Sequence, residues 1–359
     1  MSLSLLYHWA DILRQQFASL SKPQTFLLAA FSAAAAAAEH CQLRRLAEHL
    51  CCLGSPSTVE RRLQRWLASA AWDVVSAQQE LARWVIGRLC KGCKRLVLLV
   101  DETSLGEHLR VMAVCVAYRG RAVPVAWSCY HPEAYPEGGQ VALILRLLYQ
   151  VAWAVPRGLE VLVEADRGIG CSPGLLLGIS ALGWYYLVRV QSGVRLVLAD
   201  GVEVCFGEQV SRGQYWSGWC YAFKKHGWLR CRAIGWWRAN QEEGWLLLTN
   251  HWRVHGGWYA RRMWEELAFR DWKSGCFQWQ SSHVWEPSHA QRLWLGLAVG
   301  YFMMIWLGSW VVRRRGWMRG VGIVSRWSVF KRGLRVYHWS LGSGCGERLL
   351  LAYRVSLCL

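Results

Sequence analysis

Apolar residues recur with two different periods along the chain, and the change of period near residue 94 separates two structural classes. Before it the spacing is helical, as in the Ala-rich run PQTFLLAAFSAAAAAAEH, whose residues have high helix propensity. After it, short apolar runs typical of strands alternate with helical stretches. We therefore expect an all-α region over residues 1–93, followed by an α/β protein core.

Within the first region, QLRRLAEHLCCLGSPSTVERRLQRWLASA predicts a helix, a turn and a second helix. The expected N-cap of the second helix is Ser57 or Thr58. Its basic side is formed by Arg61, Arg62 and Arg65. A DNA-reading helix of a helix-turn-helix has this pattern, and so does any basic surface helix. We favour DNA contact because the whole chain is basic.

Residues 94–191 predict the order three strands, helix, strand, helix, strand, which indicates a mixed α/β sheet. The first three strands form a meander, and a crossover returns the fourth strand parallel to the first. Asp101 is expected at the end of the first strand and Asp166 at the end of the fourth. The two carboxylates should therefore lie at one edge of neighbouring strands.

Three regions follow this first part of the core. Residues 192–252 are rich in Trp and Arg and predict antiparallel strands, inserted before a further helix. Residues 253–312 return to helical patterns and complete the core. Residues 313–359 form a basic, aromatic tail, which begins with Arg313, Arg314, Arg315, Trp317 and Arg319.

The apolar run over residues 293–312 has two interpretations. Its twenty residues carry no charge and precede three arginines, which meets the length and flank criteria for a membrane span. A helix buried on all sides in a large core has the same composition. The pattern alone does not separate these alternatives.

Charge narrows the class of partner. The 42 Lys and Arg residues against 24 acids give a net charge of +18, which favours a polyanion, either nucleic acid or an anionic membrane. The 25 tryptophans suit both core packing and the stacking of bases. The 14 cysteines include only one CxxC, so we interpret them as small core residues in a reducing cytosol. The N-terminal residues lack the basic start of a signal peptide, so we expect none.

A stripe of polar residues lies on the predicted helix over residues 257–275. At 100° per residue, one face collects Tyr259, Arg262, Glu266 and Lys273. Solvated i,i+4 ion pairs would produce the same stripe. With Asp101 and Asp166, however, Glu266 completes a set of three carboxylates of the kind that holds two Mg²⁺ or Mn²⁺ ions beside a phosphate.

This order of Asp, Asp and Glu on strand, strand and helix resembles the ribonuclease H-like core of DDE transposases. The segment YARRMWEELAFRDWK is similar to the Y-(2)-R-(3)-E-(6)-K signature of one branch of bacterial insertion-sequence transposases. The resemblance covers about residues 95–310 and includes the β-rich insertion.

The resemblance implies cleavage at the terminal inverted repeats of an element and transfer of the 3′-hydroxyl into target DNA. It makes Asp101, Asp166 and Glu266 the metal ligands, and it makes Tyr259, Arg262 and Lys273 contacts to DNA strands. It further implies double-stranded DNA and a second copy of the chain as partners, a nucleoid-associated location in a bacterium and no membrane span at residues 293–312.

In some relatives a tryptophan of the insertion stacks on a flipped base. The insertion offers six tryptophans for this role, of which we expect most to be structural: Trp216, Trp219, Trp228, Trp236, Trp237 and Trp245. Two functions from other classes remain open. One is a DNA-binding protein without catalysis, and the other is a basic membrane-associated protein that spans at residues 293–312.

Overall fold

The computed structural model describes residues 1–226, 228–312, 322–324 and 326–344. Most of the residues that begin the predicted basic tail therefore lie outside the described part of the chain, including Arg313, Arg314, Arg315, Trp317 and Arg319. Within the described residues the chain is a mixed α/β protein built on one ten-stranded sheet.

The N-terminal region is helical, as predicted. Five α-helices and one short 3₁₀ turn form it: α1 (Leu3–Gln16), α2 (Lys22–Ala38), α3 (Leu43–His49), the turn Cys51–Leu53, α4 (Pro56–Ala68) and α5 (Val74–Leu89). The predicted N-cap of α4 was wrong. Ser55 caps it through a hydrogen bond from the Thr58 amide, because Pro56 lacks an N–H and is suited to the first helical position.

The first part of the core has the predicted element order. Its elements are β1 (Arg95–Leu105), β2 (Leu109–Tyr118), β3 (Arg121–Tyr130), α6 (Gly139–Ala152), β4 (Glu160–Ala165), α7 (Arg167–Gly170), α8 (Pro173–Ala181) and β5 (Tyr185–Arg189). The strands lie in the order β3-β2-β1-β4-β5. The first three are antiparallel, and β4 is parallel to both β1 and β5, which confirms the predicted crossover.

The predicted insertion is also β-rich, and it continues the core sheet. It contains β6 (Arg195–Leu198), β7 (Glu203–Cys205), β8 (Tyr215–Ala222), β9 (Leu229–Trp236) and β10 (Trp245–Thr249). The strand β10 pairs antiparallel with β5, and β9, β8, β6 and β7 follow outward in that order. The insertion is thus hydrogen-bonded to β5, the strand beside β4, which leads into Asp166.

The segment after β10 departs from the single α-helix expected over residues 257–275. A 3₁₀ helix (Gly256–Arg262) leads into α9 (Met263–Arg270), and a π-helical turn (Asp271–Gly275) follows. The uniform spacing of 100° per residue therefore does not hold across the stripe. A 3₁₀ helix has about 3 residues per turn and a π-helix has more than 4, so the angle between successive residues changes along the segment. Two α-helices complete the described chain: α10 (Pro287–Val312) and α11 (Val329–Gly342).

The helix α10 is long and apolar enough to cross a membrane by length and composition. However, 89% of its most apolar 18-residue stretch is buried inside the protein. Helices α2, α4, α5 and α11 pack around it. Its crossing with α11 is close, because a side chain at Gly308 would overlap the backbone carbonyl of Val329.

Candidate active site

The register of two parallel strands places the predicted aspartates side by side. The last registered pair between β1 and β4 is Val100 with Ala165, so Asp101 and Asp166 follow at the same level. Contrary to the prediction, Asp101 does not end its strand, because β1 continues beside β2 as far as Leu105. The aspartate instead lies where β1 extends beyond its parallel neighbour β4.

The Arg262 guanidinium joins the three predicted carboxylates. Its Nη2 lies 2.9 Å from Oδ2 of Asp101 and 3.8 Å from Oδ2 of Asp166, and its Nη1 contacts Oε1 of Glu266. Arg262 is the last residue of the 3₁₀ helix, so it projects toward β1 while Glu266 follows one α-helical turn later. Three acids from two strands and a helix therefore surround one cation.

Both aspartates also make ordinary structural hydrogen bonds to the backbone. Oδ1 of Asp166 accepts hydrogen bonds from the amides of Gly168 and Ile169 and caps α7, which leaves Oδ2 facing Arg262. Oδ1 of Asp101 accepts the Glu102 amide at 2.9 Å. Each aspartate thus has one oxygen fixed by the backbone and one directed into the site.

The three carboxylates of the site differ in how far they are exposed to solvent. Asp101 is largely buried, and this burial raises its pKa to about 6, although Arg262 lowers it and Asp166 raises it. Burial opposes the charge of Arg262, yet Asp101, Tyr259 and Glu266 more than offset that effect and raise its pKa. Glu266 is about half exposed, so the site opens to solvent on the α9 side.

Tyr259 lies beneath the site as a buried residue. Burial raises the pKa of its hydroxyl, with Arg262 and Arg189 opposing. Its ring packs edge-on against Trp245, with centroids 5.3 Å apart. Tyr259 and Arg262 are three residues apart in a 3₁₀ helix, so they remain on one face despite the change in helix type.

Lys273 approaches the site from the π-helical turn. Burial lowers the pKa of its ammonium, while Asp101 raises it, which shows that the lysine lies in the field of that carboxylate. The preceding Asp271 anchors the turn, because it pairs with Arg121 at 2.6 Å and accepts a hydrogen bond from Tyr301 at 3.1 Å. Arg270, outside the signature, is exposed.

The donors suit a hard divalent cation in chemistry, since all three are carboxylates. In the described ranges, no three His, Cys, Asp or Glu side chains are close enough to hold a metal ion as they stand. The Arg262 guanidinium lies among the acids instead and offsets part of their negative charge. Asp101, Asp166 and Glu266 therefore fit a metal site in type and direction, and Arg262 is the group that a cation would displace.

Two further acids near the site were missed from the sequence. Glu164 is completely buried on β4, and neither carboxylate oxygen has a hydrogen-bond partner among the described residues. Glu265 is completely buried beside Cys115 and near Asp101. Burial raises the pKa of both acids well above the usual range. The signal for Glu164 was a charge within the apolar run LEVLVEA.

The basic residues of α4 lie away from these carboxylates, on the N-terminal helices. Val59, Leu63, Trp66 and Leu67 are buried as the apolar side requires. Arg61 and Arg65 are exposed and Arg62 is half-buried. These side chains are therefore accessible on the surface of α4.

A chain of aromatic contacts leads from the insertion to the site. Tyr215 stacks on His255, which contacts Trp236, and Trp236 contacts Trp245, the neighbour of Tyr259. Among the six tryptophans named for stacking, Trp219 is more exposed than the partly buried Trp236 and Trp245.

No protein-family model matches the chain, and no curated protein sequence matches it.

Proposed function

We propose that the protein is a DDE transposase with a ribonuclease H-like core, which cleaves DNA at the ends of its element and joins the 3′-hydroxyl ends to target DNA. The strand order β3-β2-β1-β4-β5, with one antiparallel meander and two parallel pairs, supports this core. The β-rich insertion between β5 and α9 supports the same branch of insertion-sequence transposases that the signature segment resembles.

The observation that carries the proposal is the meeting of Asp101, Asp166 and Glu266 at one guanidinium. These acids are separated by up to 165 residues in sequence, as the numbering from 101 to 266 gives, yet one side chain contacts all three. Ordinary surface ion pairs rarely concentrate three carboxylates in this way, because like charges repel.

In this proposal, Asp101, Asp166 and Glu266 hold two Mg²⁺ or Mn²⁺ ions. Ions bound there would supply Lewis acidity toward the attacking and leaving oxygens of the phosphodiester. Arg262 and Lys273 then hold phosphate oxygens, because guanidinium and ammonium groups complement the negative charge that develops there. Tyr259 acts indirectly in this proposal, because its buried ring fixes the position of the 3₁₀ helix that carries Arg262.

The proposed partners are double-stranded DNA and a second copy of the chain in a synaptic complex, in a bacterial cytoplasm. Arg61, Arg62 and Arg65 on α4 are proposed to contact the duplex backbone. The burial of α10 by surrounding helices supports a core role for that helix in the proposal.

The test is Mg²⁺-dependent nicking of duplex DNA that carries the terminal repeats flanking the gene. Asp101→Asn and Glu266→Gln should abolish nicking while binding of the same duplex persists. Arg262→Gln should reduce nicking strongly, whereas Arg270→Gln, an exposed arginine at the end of α9, is the matched control and should retain it. Nicking at the wild-type rate in both acid variants would refute the assignment of these carboxylates as the active site.

A non-catalytic DNA-binding protein is the second candidate. The observation in its favour is that Arg262 already satisfies all three acids, as a structural ion cluster would. In that case the acid variants should lose stability, and the wild-type protein should bind the duplex without any nicking in Mg²⁺ or Mn²⁺.

A further inference from the structure

A surface of aromatic and basic residues is exposed on β8, β9 and the turn after β10. We name it the outer strip, and it consists of Trp219, Tyr221, Arg230, Trp252 and Arg253. Trp219 is 41% exposed, Tyr221 46% and Trp252 60%. Large aromatic rings rarely remain this exposed in a group unless they serve a contact.

The outer strip faces the same side of the sheet as the carboxylates. Registered neighbours share a face, and the register runs from Glu164 through Leu187, Thr249 and Arg232 to Trp219. Asp166 lies two residues after Glu164 and so points to this face. At about 4.8 Å per strand, β8 lies about 19 Å across the sheet from β4.

The rings of the outer strip are held in place by arginines. Arg230 lies over Trp219, with 5.4 Å from Cζ to the ring centroid, and Arg253 lies over Trp252 at 3.7 Å. Arg232 donates hydrogen bonds to the carbonyls of Trp252 and Val254 and to Ser217, which fixes the turn against the sheet. The strip is therefore preorganised.

The charges of the outer strip are not compensated. Among the described residues, neither Arg230 nor Arg253 has a carboxylate within ion-pair distance. The nearest acid in the register, Glu203 on β7, is already paired with Arg195 and Lys224. Positive charge beside exposed indole faces complements phosphates and the π-faces of unpaired bases.

We propose that the outer strip binds an unpaired stretch of DNA strand, at a distance of several nucleotides from the carboxylate site. Because β8 lies about 19 Å across the sheet from β4, this surface serves a part of the strand away from the carboxylates. The choice of DNA as the ligand rests on the proposed function. The need for a ligand with phosphates and stacking rings follows from the residues of the outer strip alone. Trp219 and Trp252 stack bases, and Arg230 and Arg253 hold the backbone.

The experiment measures the binding of a fluorescein-labelled single strand of 20 nucleotides to the full-length protein by fluorescence anisotropy. Trp219→Ala with Trp252→Ala should weaken binding about fivefold or more for each base that no longer stacks. Phe at both positions should restore most of the affinity. Trp153→Ala, which removes the 81% exposed tryptophan after α6, is the control and should change nothing.

A second arm uses salt. Arg230→Ala with Arg253→Ala should lower the slope of log affinity against log salt by about 0.7 for each phosphate that the protein no longer neutralises. Unchanged affinity and slope in the aromatic and arginine variants would overturn the proposal. A second result would also overturn it. If the variants bind the strand normally but lose the wild-type binding to vesicles of anionic phosphatidylglycerol, the outer strip is a membrane-binding surface.

The two proposals can fail separately. Nicking depends on Asp101, Asp166 and Glu266, whereas the strand-binding assay depends on the residues of the outer strip, so each assay tests one proposal. If the acid variants still nick DNA while the tryptophan variants lose strand binding, the proposed chemistry fails and the outer strip remains. If nicking follows the acids and the strip variants bind normally, only the outer strip fails.

Discussion

Nη2 of Arg262 lies 2.9 Å from Oδ2 of Asp101, although 161 residues separate them in the chain. The contact joins the 3₁₀ helix before α9 to the middle of β1, and both partners are mostly shielded from solvent. The charge of Arg262 is therefore already used within the protein itself. In the proposed function, a phosphate would compete with these carboxylates for the guanidinium.

Replacing Arg262 with Gln should increase the affinity of the protein for Mn²⁺ by about tenfold or more. The substitution removes a positive charge next to three carboxylates, so a cation no longer competes with the guanidinium. Isothermal titration calorimetry in the absence of DNA measures this directly. Arg270→Gln, which removes an exposed charge at the end of α9, should leave the affinity near that of the wild type. Equal or weaker binding by Arg262→Gln would contradict competition.

Replacing Asp101 with Asn should stabilise the fold at neutral pH while it removes the proposed activity. Burial raises the pKa of Asp101 to about 6 in the folded protein, against the ordinary value of 3.8 for an exposed aspartate. The folded state therefore binds a proton more tightly than the unfolded chain. The free energy of unfolding contributed by Asp101 is fully present below about pH 4 and falls by about 3 kcal/mol as pH rises through 6.

Urea denaturation between pH 4 and pH 8 tests this dependence. The difference in stability between Asp101→Asn and wild type should be small near pH 4 and should grow to at most about 3 kcal/mol at pH 8. Asp200→Asn, on an exposed turn of the insertion, serves as the control and should follow the wild-type profile. A less stable Asp101→Asn at pH 8 would show that the carboxylate is held for structural reasons.

Replacing Gly308 with Ala should destabilise the protein by about 1–3 kcal/mol or more. A methyl group there would overlap the Val329 carbonyl and force α10 and α11 apart. Gly342, in the last turn of α11, has open space around its Cα, so Gly342→Ala should be neutral or slightly stabilising. The midpoints of urea unfolding for the two variants provide the comparison, and equal midpoints would exclude a tight crossing of the helices.

Much of the fold follows from patterns that are local in sequence. Apolar runs of strand length, helical spacing and turn residues predicted the strands and helices of the core and the β-rich insertion, because each pattern reflects which side of one element is buried. The crossover rule added the parallel pairing of β1 with β4. The pairing of β10 with β5 was not predictable in this way, because it depends on contacts between distant segments.

For the candidate site, the sequence by itself determined which residue types recur at which spacing: two aspartates after apolar strand residues, and the tyrosine, arginine, glutamate and lysine of the signature. The tertiary structure decided what these residues do to one another. Strand register set Asp101 beside Asp166, helix packing brought Arg262 between them and Glu266, and burial of the sheet edge shifted the pKa of Asp101. These effects depend on distance and exposure in three dimensions, which spacing along the chain does not encode.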